Sequence, residues 1–368
     1  MDLLTLRGKL DEIDEQIVRL YEERMTISSK VADYKIETGK KVFDKTREEE
    51  KLQKVKSLTH NDFNACGVQE LFQQIMSMSR KLQYKKLTEA GALGRLPFIA
   101  VDNLDVETAR VVFQGAEGSY SQMAMTQYFG ERVHSFHVDT FRDAMCAIEE
   151  GSADFAVLPI ENSTAGIVNE IYDLLVEFEN YIVGEQIIKI SHCLLGVPGA
   201  DISGIKTVYS HPQSLMQSAR FLSAHENWQQ VSIQNNAFAA RKVSEEKDVT
   251  QAAKIYGLEI LKRGVNQSET NSTRFIIVTN QKIFLKAAEK ISICLELPHE
   301  SGSLYHMLSH FIYNNLNMTK IESRPIEDRN WEYRFFIDFE GNLADGAVKN
   351  ALRGLREEAR NMKILGNY

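Results

Sequence analysis

LLTLRGKLDEIDEQIVRLYEERMTISSKVADYKI (Leu3–Ile36) carries its apolar residues at Leu3, Leu6, Leu10, Ile13, Ile17, Leu20, Ile27, Val31 and Tyr34. Steps of three and four place these on one face of an α-helix, and no proline occurs before Pro97 to interrupt it. The stretch predicts one long amphipathic helix ended by Gly39. Further helical patterns over roughly Lys45 to Leu58 and Val68 to Lys86 make the whole first segment all-α. A helix of this length cannot bury its stripe alone, so the same helix of a second copy, antiparallel to it, is expected as its partner. A homodimer or higher homo-oligomer follows.

Moving outward, Gly91, Gly94 and Pro97 break the pattern between Thr88 and about Glu107, which reads as a linker. Beyond it, short apolar runs (Arg110 to Phe113, Asp154 to Ile160, Tyr181 to Lys189, Lys206 to Ser210, Arg274 to Thr279) alternate with helical stretches (Gln122 to Phe129, Phe141 to Glu149, Val168 to Phe178, Gln213 to Ala224). Such alternation predicts an α/β domain with a largely parallel sheet over 108–282. The last segment, 289–368, gives strand (Ile291 to Leu297), helix (Leu304 to Asn314), two strands (Thr319 to Pro325, Tyr333 to Phe339) and helix (Ala344 to Ala359), a small α+β sandwich. The chain is therefore expected to be multidomain: 1–87 helical, 88–107 linker, 108–282 α/β, 289–368 α+β.

Composition narrows the function. With 368 residues, 43% hydrophobic and 26% charged, the chain is that of a globular protein. No apolar run approaches the ~18 residues of a membrane span, and the polar start argues for a cytoplasmic address. A net charge of -8 disfavours a nucleic-acid surface. Cys66, Cys146, Cys193 and Cys294 form no C-x-x-C pair and are expected to be reduced, mostly buried thiols. His306 with His310, and His134 with His137, lack a nearby carboxylate or cysteine in a ligand pattern, so neither a metal nor another cofactor is expected.

Arg7, Arg24 and Lys35 share the first helix. Arg24 and Lys35 are separated by about 20° in direction and ~16 Å in rise, so both can converge on one small dianion. Arg7 lies ~25 Å from Arg24 on another face and reaches that ligand only from a partner's antiparallel helix. Spacing alone also fits solvated surface cations.

The first segment resembles the all-helical chorismate mutase family across its length, on Leu3-Leu4-Thr5-Leu6-Arg7, Glu22-Glu23-Arg24, Tyr34-Lys35, Val42-Phe43-Asp44 with Arg47-Glu48, and Leu71-Phe72-Gln73 with Ser79 and Gln83. The resemblance implies that Arg24 and the partner's Arg7 hold the two carboxylates of chorismate, with Arg47 assisting. It implies also that Asp44, Glu48 and Ser79 contact polar groups, and that Lys35 and Gln83 face the ether oxygen. That rearrangement is pericyclic and needs a clamped conformer and positive charge at the breaking C–O bond, which a cage of cations supplies.

In the second segment, Gly115-Ala116-Glu117-Gly118-Ser119-Tyr120-Ser121 follows a strand and opens a helix, a geometry that offers backbone N–H groups to an anion. Pro159-Ile160-Glu161-Asn162-Ser163-Thr164 ends another strand, where α/β sheets place ligands. With Ser210-His211-Pro212-Gln213 and Asn271-Ser272-Thr273-Arg274-Phe275, these stretches resemble prephenate dehydratase over roughly 108–280. The resemblance implies a two-lobed fold like that of periplasmic binding proteins, with the site between lobes. It nominates Thr273 as catalytic and Ser119, Glu161, Asn162, Ser210, Gln213, Arg274 and Phe275 as companions. One departure is the run Gln251-Ala252-Ala253-Lys254-Ile255-Tyr256-Gly257, where relatives carry an additional alanine- and serine-containing segment.

The last segment resembles an ACT domain, a ferredoxin-like fold, in Gly302-Ser303-Leu304 and in Glu322-Ser323-Arg324-Pro325. The resemblance implies phenylalanine bound between two subunits near Gly302, Ser303, Leu304, Asn317 and Glu322 to Pro325. Together the segments predict conversion of chorismate to prephenate and then to phenylpyruvate under control by phenylalanine. The rival expectation is an amino-acid-binding regulatory protein that keeps the mutase activity and has an inactive dehydratase domain.

Overall fold

The computed structural model describes residues 2–91, 96–233, 236–246, 257–327 and 329–368. The shortened run around Ala253 lies outside the described residues. The chain forms two compact units, one of residues 1–97 with 289–363, the other of 98–288 with 364–368.

The first unit opens with α1 (Leu3–Thr38), α2 (Lys45–Ser57) and α3 (Asp62–Glu89). Each starts at an acceptor side chain that takes an otherwise unpaired backbone N–H: Asp2 from Thr5 at 2.8 Å, Asp44 from Arg47 at 3.1 Å, Asn61 from Asn64 at 2.8 Å. The last cap explains why α3 begins ahead of the apolar pattern at Val68. Gly39, at φ 68°, ends α1 in the left-handed conformation that suits glycine. Ala32, Val42, Tyr84 and Leu87 form a small core. The stripe of α1 is left bare: Leu3 is 62% exposed, Leu10 59%, Ile17 51% and Leu20 61%.

The second unit runs β1 (Ile99–Val101), β2 (Arg110–Gln114), α4 (Tyr120–Phe129), β3 (His134–Val138), α5 (Phe141–Glu149), β4 (Phe155–Asn162), β5 (Gly166–Ile167), α6 (Asn169–Glu177), β6 (Tyr181–Lys189) and β7 (Cys193–Gly196). It continues with β8 (Thr207–Ser210), α7 (Pro212–Gln217), α8 (Ala219–Ser223), β9 (Gln229–Ser232), α9 (Asn236–Glu246), β10 (Glu259–Arg263), β11 (Ser272–Thr279) and β12 (Ile283–Leu285). Its main sheet has the order β3-β2-β4-β11-β6. The expectation of a largely parallel sheet needs correction: β2 is parallel to β3 and β4, but β11 runs antiparallel to both β4 and β6. The expected linker contains β1, which pairs with β12, and the expected helix from Gln213 to Ala224 is broken at Ser218.

Separate apolar clusters among the described residues mark two lobes in this unit. Val111, Phe113, Val157, Phe275 and Ile277 belong to the first; Leu194, Val208, Leu222 and Trp228 belong to the second, beside the β7–β10 and β8–β9 pairs.

The first unit resumes with β13 (Lys290–Glu296), α10 (Ser303–Tyr313), β14 (Met318–Ile326), β15 (Arg329–Glu340) and α11 (Gly346–Glu358), and a final strand, β16 (Asn361–Asn367), leads into the second unit. β15 lies between β14 and β13, antiparallel to both. Phe311 of α10 meets Phe339 of β15 edge to face at 5.1 Å. Of the cysteines only Cys294 is buried, which pushes its thiol up to about 12; Cys66 is exposed and the other two are half-buried, against the expectation of mostly buried thiols.

Candidate functional sites

In the first unit a cleft of about 490 Å³ is lined by Arg24, Lys35, Asp44, Arg47, Glu48, Ser79, Arg80 and Gln83 among others. Arg24 and Lys35, eleven residues apart on α1, therefore do face one space. Arg24 donates to Ser79 Oγ at 2.5 Å, and Lys35 Nζ to the Val42 carbonyl at 2.7 Å. Burial lowers the pKa of both cations. Gln83 is 6% exposed and its Oε1 has no hydrogen-bond partner among the described residues. Arg7 is exposed on α1 and does not line the cleft.

Arg80 is the cation that sequence reading missed. It is buried, it donates to Glu48, and its second terminal nitrogen lies 2.8 Å from Glu358 of α11. Burial alone would lower its pKa, but Glu48 and Glu358 together hold it above the ordinary value. Its position next to Ser79 on α3 was the one available signal.

In the second unit Asn162, ending β4, stands opposite Thr273, at the start of β11. Asn162 Oδ1 accepts from the backbone N–H of Thr164 and of Ala165, at 3.0 and 2.9 Å, so its Nδ2 must point the other way. Nδ2 donates to Asn271 Oδ1 (2.7 Å), the Ser272 carbonyl (3.1 Å) and Thr273 Oγ1 (2.9 Å). Because Oγ1 is an acceptor there, the Thr273 hydroxyl keeps its proton to donate elsewhere.

Gln217 of α7 donates to Thr164 Oγ1 at 3.0 Å and lies 2.8 Å from His192 Nε2. Burial lowers the His192 pKa, which favours the neutral ring. Ser210 donates to Asn236 Oδ1 at 2.8 Å, and Gln213 is half-buried in the first turn of α7. Ser119 caps α4, accepting from Gln122 at 3.3 Å. Gln217, His192 and Asn236 carry no recognisable spacing and were not foreseen.

Two nominated residues stand apart from this cluster, Arg274 by strand alternation and Phe275 by burial in the core. Arg274, next along β11, turns to the other face and pairs with Glu161 (2.6 Å) and Glu185 (3.2 Å). Phe275 is 2% exposed and packs in the first core.

In the C-terminal part of the first unit, Gly302 has φ 83° immediately before α10, with Ser303 and the 41% exposed Leu304 in its first turn. Glu322, Ser323, Arg324 and Pro325 lie on β14, where exposure alternates, and the exposed Asn317 precedes that strand.

One cleft is rich in cations and lined by no cysteine, and the other is a cluster of hydroxyls and amides around one threonine, so the fold defines a chain with two separate sites. Family models match accordingly: chorismate mutase type II over residues 6–84 and prephenate dehydratase over 111–283. The bifunctional chorismate mutase/prephenate dehydratase of Escherichia coli K12 is 33% identical, with 100% of this chain and 96% of that protein covered. Among solved structures, a prephenate dehydratase from Arthrobacter aurescens in complex with L-Phe is 27% identical, with a TM-score of 0.66 over 70% of this chain and 89% of that one. A structure described as a quorum-quenching acylase is 31% identical, with a TM-score of 0.64 over 70% and 97%. This chain belongs to the bifunctional chorismate mutase/prephenate dehydratase family.

Proposed function

We propose that this chain rearranges chorismate to prephenate in the cationic cleft, then converts prephenate to phenylpyruvate in the second unit, as a cytoplasmic enzyme of phenylalanine synthesis. The observation that carries the first reaction is the convergence of Arg24, Lys35 and Gln83 on one cleft. Arg24 and the partner's Arg7 hold the two carboxylates, with Arg47 beside them at the mouth. Lys35 and Gln83 meet the ether oxygen, where the breaking C–O bond gathers negative charge. Asp44, Glu48 and Ser79 take the remaining polar groups. Catalysis here is conformational clamping plus electrostatic stabilisation.

In the second reaction the bond between the ring and its carboxylate breaks, and its electron pair enters the ring as carbon dioxide leaves. The ring hydroxyl departs with its bonding pair and takes up one proton from solvent to be released as water. Thr273 donates a hydrogen bond to that oxygen, and the aromatic product supplies the driving force. Asn162 holds the Thr273 oxygen as an acceptor, so the proton points outward. Ser119, Ser210 and Gln213 are the substrate contacts from the surrounding turns.

The 289–368 segment is read as an ACT domain, with phenylalanine held near Gly302, Ser303, Leu304, Asn317 and the Glu322 to Pro325 stretch across a subunit interface. The bare stripe of α1 supports a dimer in which the two α1 helices run antiparallel. The deciding experiment supplies chorismate and prephenate separately to the purified chain. Phenylpyruvate from both supports the proposal; prephenate accumulating from chorismate, with none consumed, supports the regulatory rival.

A further inference from the structure

Arg80 lies in the mutase cleft with carboxylates on both sides. Glu48 of α2 is a lining residue of the cleft; Glu358 is the last residue of α11, in the C-terminal part of the same unit. A carboxylate at a helix C-terminus faces the negative end of the helix dipole, so local preference does not place Glu358 there. What holds it is Arg80, at 2.8 Å, and His310 of α10, whose Nε2 lies 3.2 Å from the other carboxylate oxygen. Its neighbour Glu357 accepts from the Phe43 backbone N–H at 3.1 Å and from the Tyr84 hydroxyl, so this last turn of α11 is docked by the two acids on α3 and on the turn that precedes α2. The guanidinium also sits over the Phe43 ring at 5.1 Å, which limits where it can move.

We propose that Glu358 is a positioning residue of the mutase site, sharing Arg80 with Glu48 and thereby setting how freely Glu48 accepts a hydrogen bond from a hydroxyl of the bound ring. This rests on the reading of Glu48 as a ligand contact. An arginine keeps its charge and offers a rigid fork of donors, so weakening one carboxylate partner moves it toward the other. With Glu358 neutral, Arg80 closes on Glu48, and the ligand loses part of an acceptor. The contact is present in ground and transition states alike, so the loss appears in KM and not in kcat.

The test measures chorismate KM and kcat on the full-length chain for wild type, Glu48→Gln, Glu358→Gln and the double variant, with thermal melting to confirm folding. Glu48→Gln is expected to raise KM roughly ten- to a hundredfold, the range for a lost charge-assisted hydrogen bond. Glu358→Gln is expected to raise KM about three- to tenfold with kcat within about twofold. The double variant is no worse than Glu48→Gln, because both changes act on one contact. A wild-type KM in folded Glu358→Gln, or additive effects in the double variant, overturns the relay while Glu48 keeps its assignment. A wild-type KM in Glu48→Gln overturns that assignment itself. Should Glu358→Gln not fold, His310→Asn has the opposite sign: it releases Glu358 onto Arg80, frees Glu48 and lowers KM. An unchanged or raised KM there overturns the proposal.

Discussion

Replacing Thr273 with valine isolates one hydroxyl from everything else the residue does. Valine has the same branched shape, and both residues suit a strand, so the backbone of β11 is undisturbed. Asn162 Nδ2 loses its 2.9 Å contact to Oγ1 but keeps Asn271 Oδ1 at 2.7 Å and the Ser272 carbonyl at 3.1 Å. No buried donor is orphaned, so the stability cost is that of one ordinary hydrogen bond, about 1 kcal/mol. The catalytic cost is larger. A preorganised donor aimed at developing charge is worth about 3–4 kcal/mol, a fall of roughly a hundred- to a thousandfold in kcat. The assay follows phenylpyruvate from added prephenate, beside a thermal melt and the mutase rate from chorismate. Thr273→Ser, which restores the hydroxyl, is expected to recover most of the rate. If folded Thr273→Val dehydrates prephenate within about threefold of wild type, Thr273 is not the donor and the chemistry assigned to this cluster is wrong.

Mixing Arg7→Ala and Arg24→Ala chains is expected to restore part of the mutase activity in heterodimers, where one of the shared sites has both arginines; no recovery after proven subunit exchange refutes sharing. Burial lowers the pKa of Lys35 below 10.5, so mutase activity is expected to fall with rising pH before an ordinary lysine would lose its proton, and Lys35→Arg moves that alkaline limb upward. A pH profile of kcat/KM for both proteins checks it. Gly302→Val places a side chain at φ 83°, where its Cβ also approaches the His306 ring at 3.5 Å; inhibition by phenylalanine is expected to weaken while dehydratase turnover persists, read from inhibition curves on prephenate.

The long period of α1 made the helical segment legible, because a pattern sustained from Leu3 to Tyr34 fits no other element. Its termination was legible too, since Gly39 does what only glycine does without strain. Strand direction was not. A run such as Arg274 to Thr279 reads identically whether it lies parallel or antiparallel to its neighbours, so the reversal of β11 between β4 and β6 was invisible. The strand β16 after α11 was missed because its alternation, Asn361-Met362-Lys363-Ile364, is only four residues long. Among site residues, Arg24 and Lys35 could be placed by helix geometry, whereas Arg80 acquires its meaning from Glu358, 278 positions further on. No local pattern encodes such a pairing.

The alternation that put Arg274 opposite Thr273 bears on why one chain keeps two dissimilar sites. Separation of charge at an ether bond is helped by fixed cations, and the mutase cleft is lined by Arg24 and Lys35, of which Lys35 is the one proposed to meet that bond. Loss of carbon dioxide has the reverse demand, because a cation clamped to the departing carboxylate stabilises the reactant more than the transition state, in which that charge moves into the ring. An arginine adjacent in sequence to the proposed donor would be a hazard if it faced the same way. In this strand it faces the other side and is held by Glu161 and Glu185, while the Thr273 side presents the neutral hydroxyl and amide groups of Asn162, Asn271 and Thr164. On the proposed assignments, charge is concentrated where the first reaction needs it and withdrawn by a single step of strand geometry where the second would be slowed by it.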